Sequence, residues 1–164
     1  MMTRHQRLLF LGIFLVCAGG LGFALYLQNV KYLLPCPLCV VQRIAYWFVG
    51  LTALAGFLHN PAVRARRVYA GLAAVFALAG AAVALHHALV IRHPEAFGCR
   101  VSPEEKLLNS LPIAKWWPGM FEANGDCALV TWNFLSLAIP DWSLICFLLI
   151  AATAIYLLVT RSRA

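Results

Sequence analysis

Four long apolar runs separated by polar segments dominate the pattern of this 164-residue chain. Each run approaches the roughly 20 residues that an α-helix needs to cross about 30 Å of hydrocarbon. We therefore predict an all-α membrane protein, a bundle of four transmembrane helices with spans at about residues 8–27, 40–58, 68–91 and 142–160. No repeat, low-complexity tract or separate soluble domain interrupts the pattern, so residues 1–164 are expected to form one integral membrane domain.

The composition supports a bilayer location. Hydrophobic residues make up 63% of the chain and charged residues only 12%, which is far from the composition of a soluble globular protein. The formal net charge of +7 is the kind of excess that nucleic-acid-binding proteins carry. Here the excess comes from basic residues beside the apolar runs, where they orient membrane proteins. We therefore expect no nucleic-acid partner.

The start of the chain imitates a secretory signal peptide, because a basic segment precedes the first apolar run. This run is longer than a usual signal core, and its removal would leave three spans. We expect it to be a retained helix, which places both termini on the same side of the membrane.

Basic residues assign the loops to the two sides, because Lys and Arg in short loops stay in the cytoplasm. Both termini and the connection at about residues 59–67 are basic and hold no acidic residue, so we predict that they are cytoplasmic. The outward loops then lie at about residues 28–39 and 92–141, and the second contains all six acidic residues. The assignment depends on Arg4, Arg7, Arg64, Arg66, Arg67, Arg161 and Arg163.

Five prolines divide the long outer loop, so no continuous helix can fill it. Ser102 followed by Pro103 predicts the start of a short helix, since a serine cap and a proline at the first position both favour one. The apolar stretch around Trp116 and Trp117 is too short to span the membrane. It either lies on the membrane surface, which paired tryptophans prefer, or packs on a small core within the loop.

Cys36 and Cys39 form a Cys-x-x-Cys pair at the start of the second apolar run. Such a pair serves either as a redox dithiol or as half of a zinc site. The prolines around Cys36 keep the preceding chain extended, so Cys39 should lie at a helix N-terminus, where unpaired amides favour the thiolate. Arg43 follows one turn later on the same face, and it either serves a polar partner or ligand or extends to the lipid headgroups.

A second pair of thiols, Cys99 and Cys127, lies in turn-like sequence of the long outer loop. This pair is either an accessible redox pair or a structural disulfide that braces the loop. A four-cysteine zinc site is disfavoured because an outer compartment promotes disulfides, and we predict no metal. Cys17 and Cys146 lie in the middle of apolar runs, where thiol reactivity is suppressed, so we expect them to be core residues.

The electron acceptor of such a dithiol should come from outside the chain. The sequence contains no dinucleotide fingerprint, haem-attachment motif or iron–sulfur cysteine run. A lipid-soluble quinone suits a two-electron site within the bilayer. His86 and His87 lie near the outer end of the third run, at a depth similar to that of Arg43, and hydrogen-bond donors there would hold the quinone oxygens. Adjacent helix residues cannot both face one ligand, and either histidine could instead be an interfacial residue without a catalytic role.

Together these features resemble the DsbB family of bacterial inner-membrane disulfide-generating proteins. The resemblance covers essentially the whole chain: four spans, a Cys-x-x-Cys followed four residues later by Arg43, and a long outer loop with two cysteines. The local sequence agrees in Asn124-Gly125-Asp126-Cys127, in Trp132-Asn133-Phe134-Leu135 and in Pro140-Asp141-Trp142.

The resemblance implies an enzyme that reoxidises the soluble periplasmic thiol oxidase DsbA and passes two electrons to ubiquinone or menaquinone. It implies that Cys99 forms a mixed disulfide with DsbA and that Cys127 is the disulfide partner of Cys99. Cys36 would then exchange with Cys127, while Cys39 would face the quinone. The outward loops would be periplasmic, and the chain would lie in the bacterial inner membrane.

The same resemblance implies that Arg43 and His86 line the quinone site beside Cys39. The additional His87 leaves open which histidine takes that position. The competing hypothesis from another class is a non-catalytic membrane scaffold whose outer loop is braced by a disulfide or binds a metal.

Overall fold

Four long helices form most of the described chain, which comprises residues 3–94, 108–110, 112–128 and 133–160 of a computed structural model. All four are long and apolar enough to cross a membrane, so the predicted four-helix membrane bundle is confirmed. In chain order the elements are α1 (Arg4–Lys31), α2 (Pro37–His59), α3 (Val63–Arg92), α4 (Pro112–Trp116), α5 (Pro118–Phe121), β1 (Asn133–Phe134), β2 (Leu137–Ala138) and α6 (Ile139–Val159). The two strands pair as a short antiparallel hairpin directly before α6.

Local signals set the helix ends. At the start of α1, the Thr3 hydroxyl accepts from the Gln6 amide, and the Gln6 side chain accepts from the Thr3 amide. α2 begins with Cys36 as its cap and Pro37 in the first turn, and it ends at His59, which is followed by Asn60 in the left-handed conformation. These caps lie beyond the apolar runs, so the helices are longer than hydrophobicity alone indicates.

The bundle is built from neighbouring helix pairs: α1 packs on α2, α2 on α3, and α3 most extensively on α6. The α3 surface at the last interface consists of small residues, which lets the two backbones approach closely. At Gly80 a Cβ atom would lie 2.5 Å from a ring carbon of Phe147. By contrast, α1 and α6 touch only slightly, and this leaves an opening between them beside α2.

The two ends of the bundle differ in their polar contacts. The end that contains Cys36, called the thiol end below, is tied by an ion pair of 2.8 Å between Arg92 of α3 and Asp141 of α6. The opposite end, called the basic end, has the Arg66 guanidinium buried against the carbonyl oxygen of Thr160. These cross-links fix the relative depth of α3 and α6 at both ends.

The segment from α4 to Ala123 folds back onto α2. Met120 and Phe121 are buried, and Trp117 packs edge-on against Trp47 of α2 with ring centroids 6.4 Å apart. Trp116 is 82% exposed. The two tryptophans therefore differ. Trp117 packs on the bundle as well as on its own segment. For Trp116, contact with the membrane surface stays a prediction.

Candidate redox site

The N-terminus of α2 holds the Cys-x-x-Cys pair in close contact. The Cys36 sulfur caps the helix by accepting a hydrogen bond of 3.4 Å from the Cys39 amide. The Sγ atoms of Cys36 and Cys39 are 3.3 Å apart. None of the described cysteines is joined in a disulfide, so these two thiols are in their reduced form and close enough to form one after small rotations.

The later loop is clamped to the segment before α2. The amides of Asn124 and Gly125 both donate to the carbonyl oxygen of Pro35, each at 3.0 Å. Gly125 is required at this point, because a Cβ atom there would collide with the carbonyl oxygen of Leu34. The clamp therefore depends on a backbone approach that only glycine permits.

This clamp brings Cys127 to Cys36. The Sγ atoms of both residues and one ring nitrogen of His87 all lie within 4.8 Å of one another, and all three residues are buried. Hydrogen bonds with Cys127 and Cys39, together with burial, raise the pKa of the Cys36 thiol. In the reduced cluster Cys36 consequently keeps its proton and donates it in a hydrogen bond to the Cys39 sulfur.

His87 links the thiols to Gln42 on the next turn of α2. Its Nε2 atom lies 3.7 Å from the Cys36 sulfur, and its Nδ1 atom lies 3.1 Å from the amide nitrogen of Gln42. With the amide nitrogen of Gln42 as donor, Nδ1 accepts, and a neutral ring in this arrangement carries its proton on Nε2. That proton faces the sulfur of Cys36.

Cys39 also lies in the wall of an open cavity between α1, α2 and α6. The cavity has a volume of about 520 Å³, and most of its wall consists of aliphatic and aromatic side chains. This size and lining are those of a typical small-molecule site, which is mainly apolar with a few polar groups. The polar and sulfur-containing residues in its wall are Cys39, Gln42, Arg43, Tyr46, Ser143 and Cys146.

Arg43 is only 6% exposed and is enclosed by the protein. Its NH1 group donates to the Gln28 side chain at 2.9 Å and to the carbonyl oxygens of Met120 and Gly119 at 3.3 and 3.5 Å. Its Nε atom is buried and has no hydrogen-bond partner within the described part of the chain. Arg43 therefore holds α1, α2 and the outer segment together and retains one donor for a ligand.

The two histidines of α3 contact different neighbouring residues. His87 contacts the thiols, whereas His86 lines a second cavity of about 500 Å³ with Pro37, Leu38 and Val41. The structure therefore does not bring the predicted His86 to the cavity of Cys39 and Arg43. Successive residues point about 100° apart on a helix, and the sequence did not reveal the rotation of α3.

Gln42 was missed by the sequence analysis. The signal was present, because a polar side chain inside a membrane span usually has a polar partner or a ligand.

Cys99 and the helix start predicted at Ser102 lie outside the described residues. Cys17 is buried in the bundle core as predicted, while Cys146 lies partly buried at the cavity wall.

Comparison with known proteins extends over nearly the whole chain. The family described as "Disulfide bond formation protein DsbB" matches residues 6–157. The "Disulfide bond formation protein B" of Nitrosospira multiformis is 63% identical over 158 residues, which cover 96% of this chain and 94% of that protein. The protein of the same name from Nitrosomonas europaea is 58% identical over 97% of this chain and 96% of its own length. That of Aromatoleum aromaticum is 45% identical, with coverage of 96% and 94%.

Proposed function

The chain belongs to the DsbB family of disulfide bond formation proteins, and from this premise we propose the reaction that its thiol end carries out. The family and the four membrane helices identify it as a disulfide-forming oxidoreductase of a membrane. We propose further that it reoxidises a DsbA-like periplasmic thiol oxidase. The two electrons then pass to a membrane quinone, either ubiquinone or menaquinone.

One observation carries this proposal: three neighbouring thiols lead to the wall of an apolar cavity. Cys127 lies beside Cys36, the Cys36 sulfur is 3.3 Å from that of Cys39, and Cys39 is in the cavity wall. Thiol–disulfide exchange requires such direct sulfur-to-sulfur contact, because each step forms one S–S bond while it breaks another. These neighbouring thiols therefore support electron transfer from a protein-facing loop to a membrane-facing site.

The entry step involves Cys99 and follows from the family resemblance. A thiolate of the reduced partner attacks Cys99 in a Cys99–Cys127 disulfide, which forms a mixed disulfide and releases Cys127 as a thiolate. The second thiol of the partner then closes the partner's own disulfide and releases Cys99. Two electrons have thus moved from the partner into the loop pair.

The transfer step uses the contact between the loops. The Cys127 thiolate attacks the sulfur of Cys36 in a Cys36–Cys39 disulfide, so a Cys36–Cys127 bond forms while Cys39 leaves as a thiolate. Cys99 then attacks Cys127, which restores the loop disulfide and releases Cys36. The result is a reduced Cys36–Cys39 pair beside the cavity.

We propose that His87 donates a proton to Cys36 during these steps and that Gln42 orients the His87 ring. When Cys36 is released as a thiolate, the Nε2–H group of His87 is 3.7 Å from its sulfur and in position to donate. Gln42 keeps that proton on Nε2 by donating to Nδ1. We therefore assign His87 to proton transfer and Gln42 to the orientation of the ring.

The cavity residues fit a quinone. Its apolar wall suits a ring with an isoprenoid tail, and the buried Nε donor of Arg43 needs an acceptor that a ring carbonyl would supply. A bound quinone supplies an acceptor for two electrons and two protons. Cys39 provides the sulfur at this wall, and Arg43 provides positive charge. His86 remains the sequence-based prediction for quinone contact, although it lines the neighbouring cavity.

We also propose that the thiol end faces the periplasm from the bacterial inner membrane. Arg4, Arg64 and Arg67 belong to the opposite end of the bundle, which agrees with retention of basic segments in the cytoplasm. A membrane-impermeant maleimide should label the reduced thiol end in intact spheroplasts. Labelling that appears only after the membrane is broken would mean that the thiol end faces the cytoplasm.

Trapping one disulfide tests the exchange path. In a Cys39→Ala variant, Cys36 has lost its own partner, and its thiolate should attack Cys127 in the loop disulfide and stay there. Mass spectrometry of alkylated, non-reduced peptides should then find Cys36 linked to Cys127 and Cys99 alkylated. If only Cys99–Cys127 is recovered, exchange between the two loops is not part of the reaction.

A further inference from the structure

We propose that the reduced thiol end binds one soft divalent cation, of the class of Zn²⁺, through Cys36, Cys127 and His87. Their two sulfurs and one ring nitrogen lie within 4.8 Å of one another. Ligand atoms in a tetrahedral zinc site with two thiolates and an imidazole are roughly 3.5 to 3.8 Å apart, given usual Zn–S and Zn–N distances. The Cys36–His87 separation of 3.7 Å already matches that spacing.

Cys39 supplies the fourth ligand. Its sulfur is 3.3 Å from that of Cys36, so a cation held by Cys36 is within reach of both after a shift of a few tenths of an ångström. Three thiolates and one imidazole are a common closed set for Zn²⁺. Soft thiolate ligands disfavour Mg²⁺ and Ca²⁺, which prefer oxygen.

The outer contact of His87 is of the kind that metal-binding histidines have. Such a histidine binds the metal through one ring nitrogen and donates from the other to a fixed acceptor. Gln42 lies 3.1 Å from Nδ1, and rotation of its amide would place an oxygen there to accept from Nδ1–H. Nε2 is then free of its proton and faces Cys36.

Binding requires the reduced protein. Each thiol that binds the cation gives up its proton to solvent, and no electrons move, so the oxidation state of sulfur is unchanged. A disulfide between any two of the three cysteines removes two ligands at once. The cation would therefore hold the chain in its reduced state and block reoxidation, although the binding itself depends on neither a quinone nor a partner protein.

Metal titration of the purified full-length protein tests the site. The protein is reduced, freed of reductant without oxygen, and titrated with Zn²⁺ against a chromophoric chelator. We expect one tightly bound ion per reduced chain and none after oxidation of the same sample. Cd²⁺ should give an ultraviolet thiolate-to-metal charge-transfer band only in the reduced sample. Equal uptake by reduced and oxidised protein, or no uptake by either, would overturn the proposal.

Paired variants locate the ion. His87→Ala should weaken binding more than Gln42→Ala, for which loss of the outer contact is expected to cost about 10- to 100-fold in affinity. His86→Ala changes the neighbouring residue of the same helix and should bind as the native protein does, and so should Cys17→Ala. If His87→Ala retains native affinity, the ion binds elsewhere and the proposed ligand set is wrong.

Discussion

The thiols of the thiol end and the thiol of Cys17 belong to the same chain but to different chemical surroundings. Cys36 caps a helix, receives a backbone hydrogen bond and lies within 4.8 Å of a histidine nitrogen and a second sulfur. Cys17 is 1% exposed in the middle of α1, among the aliphatic and aromatic side chains of the core. Under the proposed function, position rather than residue type decides which thiols exchange.

The surroundings also differ in how they are built. At Cys17 the helices pack closely, and a Cβ added at Gly50 would lie 3.2 Å from the Cβ of Cys17. At the thiol end, two backbone hydrogen bonds to Pro35, rather than close helix packing, hold the loop with Cys127 against the segment before α2. Thiol–disulfide exchange needs sulfurs that can approach one another, and the thiol end places Cys36 beside both Cys39 and Cys127.

The comparison predicts its largest effect for the matched pair Cys39→Ala and Cys17→Ala. Cys39→Ala removes the sulfur at the cavity wall, so turnover of a reduced DsbA-like partner should fall to background. Cys17→Ala exchanges one small core residue for another and should leave turnover near the native level. Rates of partner oxidation measure both. Similar losses in the two variants would mean that the distinction between the thiols is wrong.

A smaller effect is expected from Gly125→Ala, which changes no thiol. The added methyl group collides with the Leu34 carbonyl and should separate the loops, and misplacement of about 1 Å can cost about 100-fold in rate. Exchange between Cys127 and Cys36 should slow accordingly in quenched-flow trapping of the disulfide. Gly22→Ala is the control, because a methyl group there meets nothing within 4 Å. A native exchange rate in the Gly125 variant would show that exchange does not depend on the clamp.

Arg43→Gln should weaken quinone binding rather than thiol exchange. Loss of a charged hydrogen bond is worth about 1.5–3 kcal/mol, so the apparent KM for quinone should rise about 10- to 100-fold. Because Arg43 also ties Met120 to α2, Gln28→Ala is the matched variant, which removes one Arg43 contact and keeps the charge. If the KM for quinone is equal in the two variants, the role of Arg43 is structural only.

The smallest of these effects is expected from Gln42→Ala. The neutral hydrogen bond to His87 is worth about 0.5–1.5 kcal/mol, so exchange at Cys36 should slow by about threefold to tenfold. Gln42→Glu places an acceptor beside Nδ1, draws the ring proton away from Nε2 and should not recover the rate. Stopped-flow exchange with a disulfide reagent measures this difference. No slowing in the alanine variant would show that ring orientation does not depend on Gln42.

Much of the fold follows from the sequence because membrane helices are selected by hydrophobicity over about 20 residues. Prolines around Cys36 also predicted that Cys39 lies at the start of α2, and it does. The distance from Cys39 to Arg43 depends only on helical rise, so their shared face could be predicted as well.

The rest depends on tertiary packing that local patterns do not contain. Which of His86 and His87 faces the thiols depends on the rotation of α3 against α2 in the packed bundle. The contact between Gly125 and Leu34 joins segments that are far apart in sequence. Gln42 has a clear role only once His87 is known to lie beside it.

The most direct test of the electron path is a coupled measurement on the native protein. Reduced DsbA-like partner and a soluble ubiquinone analogue are mixed with it in detergent, and thiol loss and quinone reduction are followed in the same sample. We expect one quinone to be reduced for every two partner thiols oxidised, and neither change to occur without the protein. Partner oxidation without quinone reduction, or no reaction of either, would contradict it and favour a non-catalytic scaffold.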